Sequence, residues 1–208
     1  MKNQLVPSIT SESTSDLLST IADSALDAAI DSGALDGIPV VGLLTGFIKA
    51  ARDIRERLLL KKLILFLKET ENLSPEERGG FKSKFQDEAA SEDFGTIVVM
   101  LLDRSDDLTK PKILGRLLVV YAQGHITQED FLRLSSMVER SFSSDLPLLR
   151  GFTFGNWLGR EAQAQNLASL GFLYQAGFDG GDVSDPNSGG ILYQISQFGE
   201  WIVRYGLD

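Results

Sequence analysis

The sequence predicts a mainly α-helical protein in which a multi-helix domain is followed by a small α+β domain. Three observations lead to this prediction. Apolar residues recur at helical spacing up to about residue 140, helix-capping motifs stand between the apolar runs, and glycines and aromatic residues flank a short alternating strand after Ser143. We predict a frayed or disordered tail at 1–14, the helical domain at 15–147 and the α+β domain at 148–208.

The composition is that of a globular protein, with 208 residues of which 43 % are hydrophobic and 24 % are charged. A net charge of −9 and a pI near 4.7 oppose binding to a phosphate backbone. The absence of cysteine excludes disulfides, thiolate catalysis and cysteine-ligated zinc, and it favours a cytoplasmic location. Residues 1–14 are rich in Ser and Thr and contain no apolar stretch, so we also expect no signal peptide.

Two helices are predicted in the first 70 residues. The first carries apolar residues at helical spacing from Leu17 to Ile30 and ends at Gly33. The second spans about 40–70, with a break near Gly46, and its second half is apolar on more than one face, so we expect it at the centre of the core. Aspartates recur every four residues on one stripe of the first helix, at Asp23, Asp27 and Asp31.

Helix-capping motifs define the remaining helices of this domain. Ser74 and Glu77 form a capping box around Pro75, which suits the first helical position. Thr127 begins a later helix, where Asp130 at the third position makes a weaker box. The predicted helices cover about 75–90, 94–102, 109–122 and a segment that starts at 128.

The segment GIPVVGLLTGFIKA contains twelve residues, 37–48, without a charge. As a helix this run is about 18 Å long, which is short of the ~30 Å hydrocarbon core of a bilayer. We therefore expect a buried helix in which small residues let a neighbouring helix approach. A membrane-active protein that exposes residues 37–67 remains the alternative. The candidate packing or membrane residues are Gly42, Gly46 and Phe47.

A basic concentration at 46–72 holds seven cations and four acidic residues. Such a helix can dock on anionic lipid or on a protein. The acidic residues interleaved at helical spacing equally predict a solvated face with internal ion pairs. The candidate docking residues are Lys49, Arg52, Arg55, Lys61 and Lys62.

Residues 151–208 predict a different architecture. GFTFGNWLG is expected to be a loop with a short helix, and the stretch 161–178 is helix-like. A turn rich in glycine and aspartate follows, then a strand at 191–195 and a last helix from Gln197.

The ends of these elements carry a family pattern. Leu167, Leu170, Gly171 and Phe172 end a helix, Tyr193, Ile195 and Ser196 form a strand, and Gly199 opens the last helix. In this order, around a glycine-rich hairpin, they resemble the second half of a winged-helix domain. The resemblance covers about a quarter of the chain and rests mostly on core positions. It therefore implies a fold more than a function.

The winged-helix resemblance usually implies DNA binding, but the charge of this segment opposes it. Residues 150–208 hold three arginines, six acidic residues and no lysine, and the wing carries aspartates where DNA binding requires cations. We therefore expect a domain that packs or contacts protein. The candidate interaction residues are Phe152, Phe154, Trp157 and Trp201.

No catalytic or metal-binding grouping is recognised in the sequence. Asp179, Asp182 and Asp185 do not follow the alternating ligand spacing of an EF-hand, and the single histidine, His125, has no carboxylate–nucleophile partner set. We expect no enzyme activity, no cofactor and no small-molecule substrate.

The function expected from the sequence is a non-catalytic module that binds another protein or itself, with a membrane surface as a possible second partner. A winged-helix DNA-binding regulator is the third and least favoured hypothesis. The segment from Ile38 to Glu69 also resembles small helical bacterial proteins of unknown function, some encoded near phage-defence genes. This resemblance implies a role in bacterial antiviral defence.

Overall fold

The structure, a computed structural model, describes residues 4–42, 54–153, 162–182, 184–185 and 189–207, and for residues 157–158 the backbone alone. The predicted fold class is confirmed, because helices dominate the described residues and the strands lie near the C-terminal end. Contacts divide the chain into two units, Met1–Leu132 and Arg133–Asp208. Each unit is described by itself below.

The described residues of the first unit form helices joined by turns, and none of them forms a strand. Residues 39–42 are helical as well. Its elements are α1 (Leu5–Thr10), α2 (Glu12–Ser19), a 3₁₀ turn (Asp23–Ala25), α3 (Leu26–Ser32), α4 (Ile54–Lys68), α5 (Pro75–Ser83), α6 (Glu88–Arg104), α7 (Thr109–Ala122) and the start of α8 (Gln128–Arg140).

Both predicted capping boxes are confirmed. The Ser74 hydroxyl accepts a hydrogen bond from the Glu77 N–H at 3.1 Å, and the Ser74 N–H donates to Glu77 Oε2 at 2.7 Å. At the start of α8, Thr127 Oγ1 accepts from the Asp130 N–H at 3.1 Å, and the Thr127 N–H donates to Asp130 Oδ2 at the same distance. The shorter aspartate therefore also closes a box, and both helices begin where the sequence predicts.

Helix α4 lies at the core of the first unit, as its apolar composition predicts. Leu60 and the residues from Leu63 to Leu67 are buried. Helix α7 crosses α4 closely at Gly115, where an added Cβ would lie 2.5 Å from the carbonyl oxygen of Phe66 and 2.7 Å from Glu69 Cβ. Only glycine permits this approach of the two backbones.

A cluster of aromatic rings fills the other side of this core, with ring centroids 4.8 to 6.2 Å apart. Edge-to-face and tilted pairs of this kind add to the stability that area burial supplies. The rings belong to Phe81, Phe85, Phe94, Tyr121 and Phe131.

The structure corrects the frayed or disordered tail expected at 1–14, as far as residues 4–14 are concerned. Residues 5–10 form α1, and both Leu5 and Ile9 are completely buried. Arg78 Nη1 donates to the Ile9 carbonyl oxygen at 2.6 Å and holds the end of α1. The prediction was wrong because the many Ser and Thr residues around α1 make the segment polar on average, although Leu5, Val6 and Ile9 form a short apolar face.

The helix predicted from Leu17 to Ile30 is also interrupted, so that α2 and α3 are separate. The Thr20 hydroxyl donates to the Leu17 carbonyl, and Lys68 Nζ donates to the Ile21 carbonyl at 2.6 Å. A distant lysine thus takes the acceptor that a continuous helix would use. Gly33 ends α3 with φ of +71°, as predicted.

The second unit contains a three-stranded antiparallel sheet in the order β1–β3–β2. The predicted strand and last helix are confirmed, but the helix-like stretch 161–178 is helical only to Ser169, and Leu173–Asp179 forms a strand. Gly171, with φ of +91°, separates the two. The elements are a 3₁₀ helix (Leu146–Phe152), β1 (Trp157–Leu158), α9 (Ala162–Ser169), β2 (Leu173–Asp179), β3 (Gly190–Ile195), α10 (Gln197–Trp201) and a π-helical turn (Ile202–Gly206).

The division between the units falls within α8, before the boundary predicted at 147/148. The second half of α8 belongs to the second unit and contacts its other elements. The Arg133 guanidinium lies 5.9 Å from the centre of the Phe198 ring, and a Cβ at Gly171 would lie 3.4 Å from Met137 Cε. Gly199 is required at the start of α10, since a Cβ there would clash with the carbonyl oxygen of Phe172.

Candidate interaction surface

Strand β2 of the β2–β3 hairpin is exposed along most of its length. Strand β2 lies at the edge of the sheet, and of its residues only Leu173 is buried. Two large side chains stand out from it: Phe178 is 74 % exposed and Tyr174 is 47 % exposed.

A β-bulge decides which face each aromatic ring occupies. Gln175 pairs with Tyr193 and Gly177 pairs with Leu192, so Ala176 has no opposite residue. The bulge reverses the alternation, and Phe178, opposite Ile191, lies on the same face as the buried Tyr193 but beyond the end of the core. Tyr174 lies on the other face, where its hydroxyl donates to Gln194 Oε1 at 2.6 Å.

The turn that follows Phe178 is acidic and built by local hydrogen bonds. Asp179 Oδ1 accepts from the Gly181 N–H at 3.0 Å. The backbone N–H and the hydroxyl of Ser184 both donate to Asp182, and they lower the pKa of that carboxyl. The hairpin surface is defined here as Phe178, Asp179 and Asp182.

The charge of the whole second unit agrees with that of the hairpin. Residues 133–208 contain five arginines, eight acidic residues and no lysine, which is a net charge of −3. The exposed residues of α9 include Gln165, Asn166 and Ser169, which are all uncharged. The described parts of this unit therefore present an acidic and aromatic surface rather than a basic one.

Two of the four predicted interaction residues, Phe152 and Trp201, are described with their side chains, and both are less exposed than expected. Phe152 is half-buried in the 3₁₀ helix, and Trp201 is half-buried with its ring edge-to-face against Phe198 at 5.7 Å. Trp157 contributes backbone to β1, while its side chain and Phe154 lie outside the described residues.

The exposure of Tyr174 and Phe178 was not predicted, because the stretch 161–178 was expected to be helical. Two signals for a strand were present. Gly171 is followed by aromatic residues of high β propensity at 172, 174 and 178, and the winged-helix pattern itself places a wing after Phe172.

The predicted basic docking face is largely engaged within the protein. Arg55 forms an ion pair with Asp103 at 2.6 Å, and Lys61 forms one with Asp27 at 2.8 Å. Lys62 is buried, donates to the carbonyl oxygen of Asp103 at 3.0 Å, and has its pKa lowered by that burial. Arg55 and Lys61 thus pair with carboxylates of other helices rather than with the acidic residues interleaved in their own helix, and Lys62 binds a backbone carbonyl. Lys49 and Arg52 lie outside the described residues.

Of the two predicted packing glycines, Gly42 lies within the described residues. A Cβ at Gly42 would lie 2.8 Å from the carbonyl oxygen of Asp36, so its small size serves a local turn rather than the approach of a second helix. Gly46 and Phe47 lie outside the described residues. None of the helices that the structure describes is long and apolar enough to cross a membrane.

A cleft of about 500 Å³ opens on the first unit between α1 and the junction of α5 with α6. Val6, Pro7 and Phe85 form an apolar wall, while Lys82 and Glu92 supply opposite charges. Across the parts of the chain that are described, no group of three or more His, Asp or Glu side chains is placed to hold a metal ion. The sole histidine, His125, is exposed in the turn after α7.

Comparisons with known proteins found no relative of this chain. No protein-family model, no curated protein and no solved structure matches the chain. The candidate function is therefore inferred from the surfaces and contacts of the described residues.

Proposed function

We propose that the second unit is a winged-helix-like module that binds a basic segment of another protein through the hairpin surface. The observation that carries this proposal is Phe178, a phenylalanine 74 % exposed on a strand and followed directly by an acidic turn. Single exposed apolar residues are common on proteins. Here Phe178 directly precedes an acidic turn, and aromatic side chains are enriched both at protein interfaces and among their hot spots.

The winged-helix part of the proposal is supported by topology. Strand β1 precedes α9, the helix leads into β2, and β2 and β3 form a hairpin in the position of a wing. The central position of β3 in the antiparallel sheet is the order expected when the first strand returns to pair beside the hairpin. The close packing at Gly199 agrees with the pattern that the resemblance implies.

Charge favours a protein partner over DNA. A duplex brings a dense row of phosphates, and binding proteins neutralise it with Lys and Arg. The hairpin presents Asp179 and Asp182 instead, and the unit contains no lysine. A partner segment with Lys or Arg beside an apolar side chain complements both features of the hairpin surface.

The same hairpin opposes self-association through its edge. The bulge at Ala176 interrupts the regular row of backbone donors and acceptors, and Asp179 ends the strand with a charge. We therefore propose a different protein as the partner.

The membrane-active alternative is weakened by the position of α4. Exposing residues 37–67 would remove Leu63, Phe66 and Leu67 from the core, and each such side chain contributes roughly 1.5–3 kcal/mol when buried. A cytoplasmic location remains a proposal supported by the cysteine-free sequence. The setting of bacterial defence is supported only by the resemblance.

A peptide-display selection on the full chain tests the proposed function. We expect enriched peptides to carry Lys or Arg next to an aromatic or aliphatic residue. A Phe178→Ser variant should lose that enrichment. Phe142→Ser is the matched control, because Phe142 is also exposed, at 64 %, in the same unit outside the hairpin. Equal selection of basic peptides by both variants, or enrichment of acidic peptides that Phe178→Ser abolishes, would refute the proposal.

A further inference from the structure

Helix α3 is attached to the first unit by a row of ion pairs that runs antiparallel to α4. Asp31 pairs with both terminal nitrogens of Arg57, at 2.9 and 3.0 Å, and Asp27 pairs with Lys61 at 2.8 Å. One turn earlier, Asp23 binds Lys68 and Lys112, each at 2.7 Å. The cationic stripe is defined here as Arg57, Lys61, Lys68 and Lys112.

Within α3 itself few other contacts are buried, although Leu18 before the helix and Leu35 after it are buried in the core. Leu26 is the one buried side chain within the seven residues of this helix, and no side chain caps its N-terminus. The aspartates are more than half exposed, at 51 to 59 %. Exposed ion pairs contribute about 0–1 kcal/mol each. A short helix with few buried contacts opens locally at a small free-energy cost.

We propose that the cationic stripe is a binding surface for acidic helical segments, and that α3 is the occupant that the chain supplies to itself. The resident helix defines the ligand chemistry: carboxylates four residues apart on one helical face and an apolar anchor equivalent to Leu26. A partner segment with this pattern replaces α3 and makes the same charge-assisted hydrogen bonds. All residues of this surface belong to the first unit, and none belongs to the hairpin surface.

An acidic helix fits this surface better than an anionic bilayer. The stripe matches the spacing of successive turns of a facing helix, as its present occupant demonstrates. A bilayer would require α4 to insert an apolar face next to the stripe. The apolar residues of α4 from Leu63 to Leu67 are buried in the core instead.

A labelled synthetic peptide of residues 21–34 serves as the probe, added to the full chain. The variant Asp23→Asn/Asp27→Asn/Asp31→Asn releases the internal occupant, so we expect it to bind the peptide roughly tenfold or more tightly than wild type does. Adding Lys61→Glu to this variant should abolish binding. Equal affinity for wild type and the triple variant, or no effect of Lys61→Glu, would overturn the proposal. Binding of the triple variant to phosphatidylserine vesicles but not to the peptide would also overturn it.

Hydrogen exchange on the wild-type protein tests the same proposal without a variant. Raising the salt concentration from about 0.05 to about 0.5 M screens the exposed ion pairs. We expect amide protection in residues 27–32 to fall at high salt, while protection in α7 stays constant. Protection of α3 that does not respond to salt would contradict the proposed displacement.

Discussion

Arg78 Nη1 donates a hydrogen bond of 2.6 Å to the carbonyl oxygen of Ile9, a residue 69 positions earlier in the chain. The same guanidinium donates to the carbonyl oxygens of Thr70, Glu71 and Leu73. The Ile9 carbonyl lies near the end of α1, and the other three lie in the turn that follows α4, where the intrahelical hydrogen bonds have ended. A single buried side chain therefore joins α1 to the turn that follows α4.

Replacement of this arginine is expected to destabilise the first unit strongly. The Glu71 and Thr70 carbonyls also accept from the Ser15 hydroxyl and the Leu73 N–H. Lysine has a single nitrogen, so Arg78→Lys leaves the Ile9 or the Leu73 carbonyl oxygen without a donor. Each such group costs about 1–3 kcal/mol. We expect the free energy of unfolding, measured with urea, to fall by about 1–3 kcal/mol. Arg104→Lys, at an exposed position, should change it by no more than about 0.5 kcal/mol.

The crossing of α4 and α7 predicts opposite effects for two glycine substitutions. Gly115→Ala forces a Cβ against the backbone of Phe66 and should destabilise the protein by about 1–3 kcal/mol. Gly79 also lies within a helix, but its missing Cβ faces open space. Gly79→Ala should therefore stabilise the protein by about 0.5–1 kcal/mol. Thermal unfolding of both variants tests the crossing, and a neutral Gly115→Ala would contradict it.

The ion pairs of Asp23 predict a dependence of stability on pH. Hydrogen bonds from Lys112 and Lys68 lower the pKa of Asp23 from 3.8 to about 2. Because the folded pKa is depressed, the contribution is fully present above about pH 4 and is lost as pH falls toward 2. Solvent screening at this half-exposed site limits the contribution to about 1 kcal/mol.

The matched variant for this prediction is Asp23→Asn, which keeps the shape of the side chain and removes its charge. We expect it to be less stable than wild type above pH 4, and we expect the difference to disappear near pH 2. A constant difference across this range, measured by urea unfolding, would show that the ion pairs are not its source.

Local signals made much of the helical fold predictable. The capping boxes at Ser74 and Thr127 and the glycine that ends α3 act within a few residues, so the sequence pattern contains the whole interaction. Helix α1 was not predictable in this way, because its end is held by Arg78, which lies far away in sequence. The break before α3 likewise depends on Lys68.

The candidate surfaces were less predictable than the helices. The aspartate stripe and the basic helix were both visible in the sequence, but their pairing depends on how α3 and α4 pack. The exposed position of Phe178 could not be predicted, because β2 has only one buried residue and so shows no clear strand pattern. The bulge at Ala176 then places the ring on the opposite face from the one that regular alternation would give. Only the register with β3 reveals this position.

The affinity of a display-selected basic peptide for wild type, Phe178→Ser and Phe142→Ser measures the central proposal most directly. Because both phenylalanines are exposed, neither substitution should change the free energy of unfolding by more than about 0.5 kcal/mol. We predict that Phe178→Ser weakens binding by roughly tenfold or more, while Phe142→Ser leaves it unchanged. Equal affinity of all three proteins for the peptide would contradict the hairpin surface as the binding site.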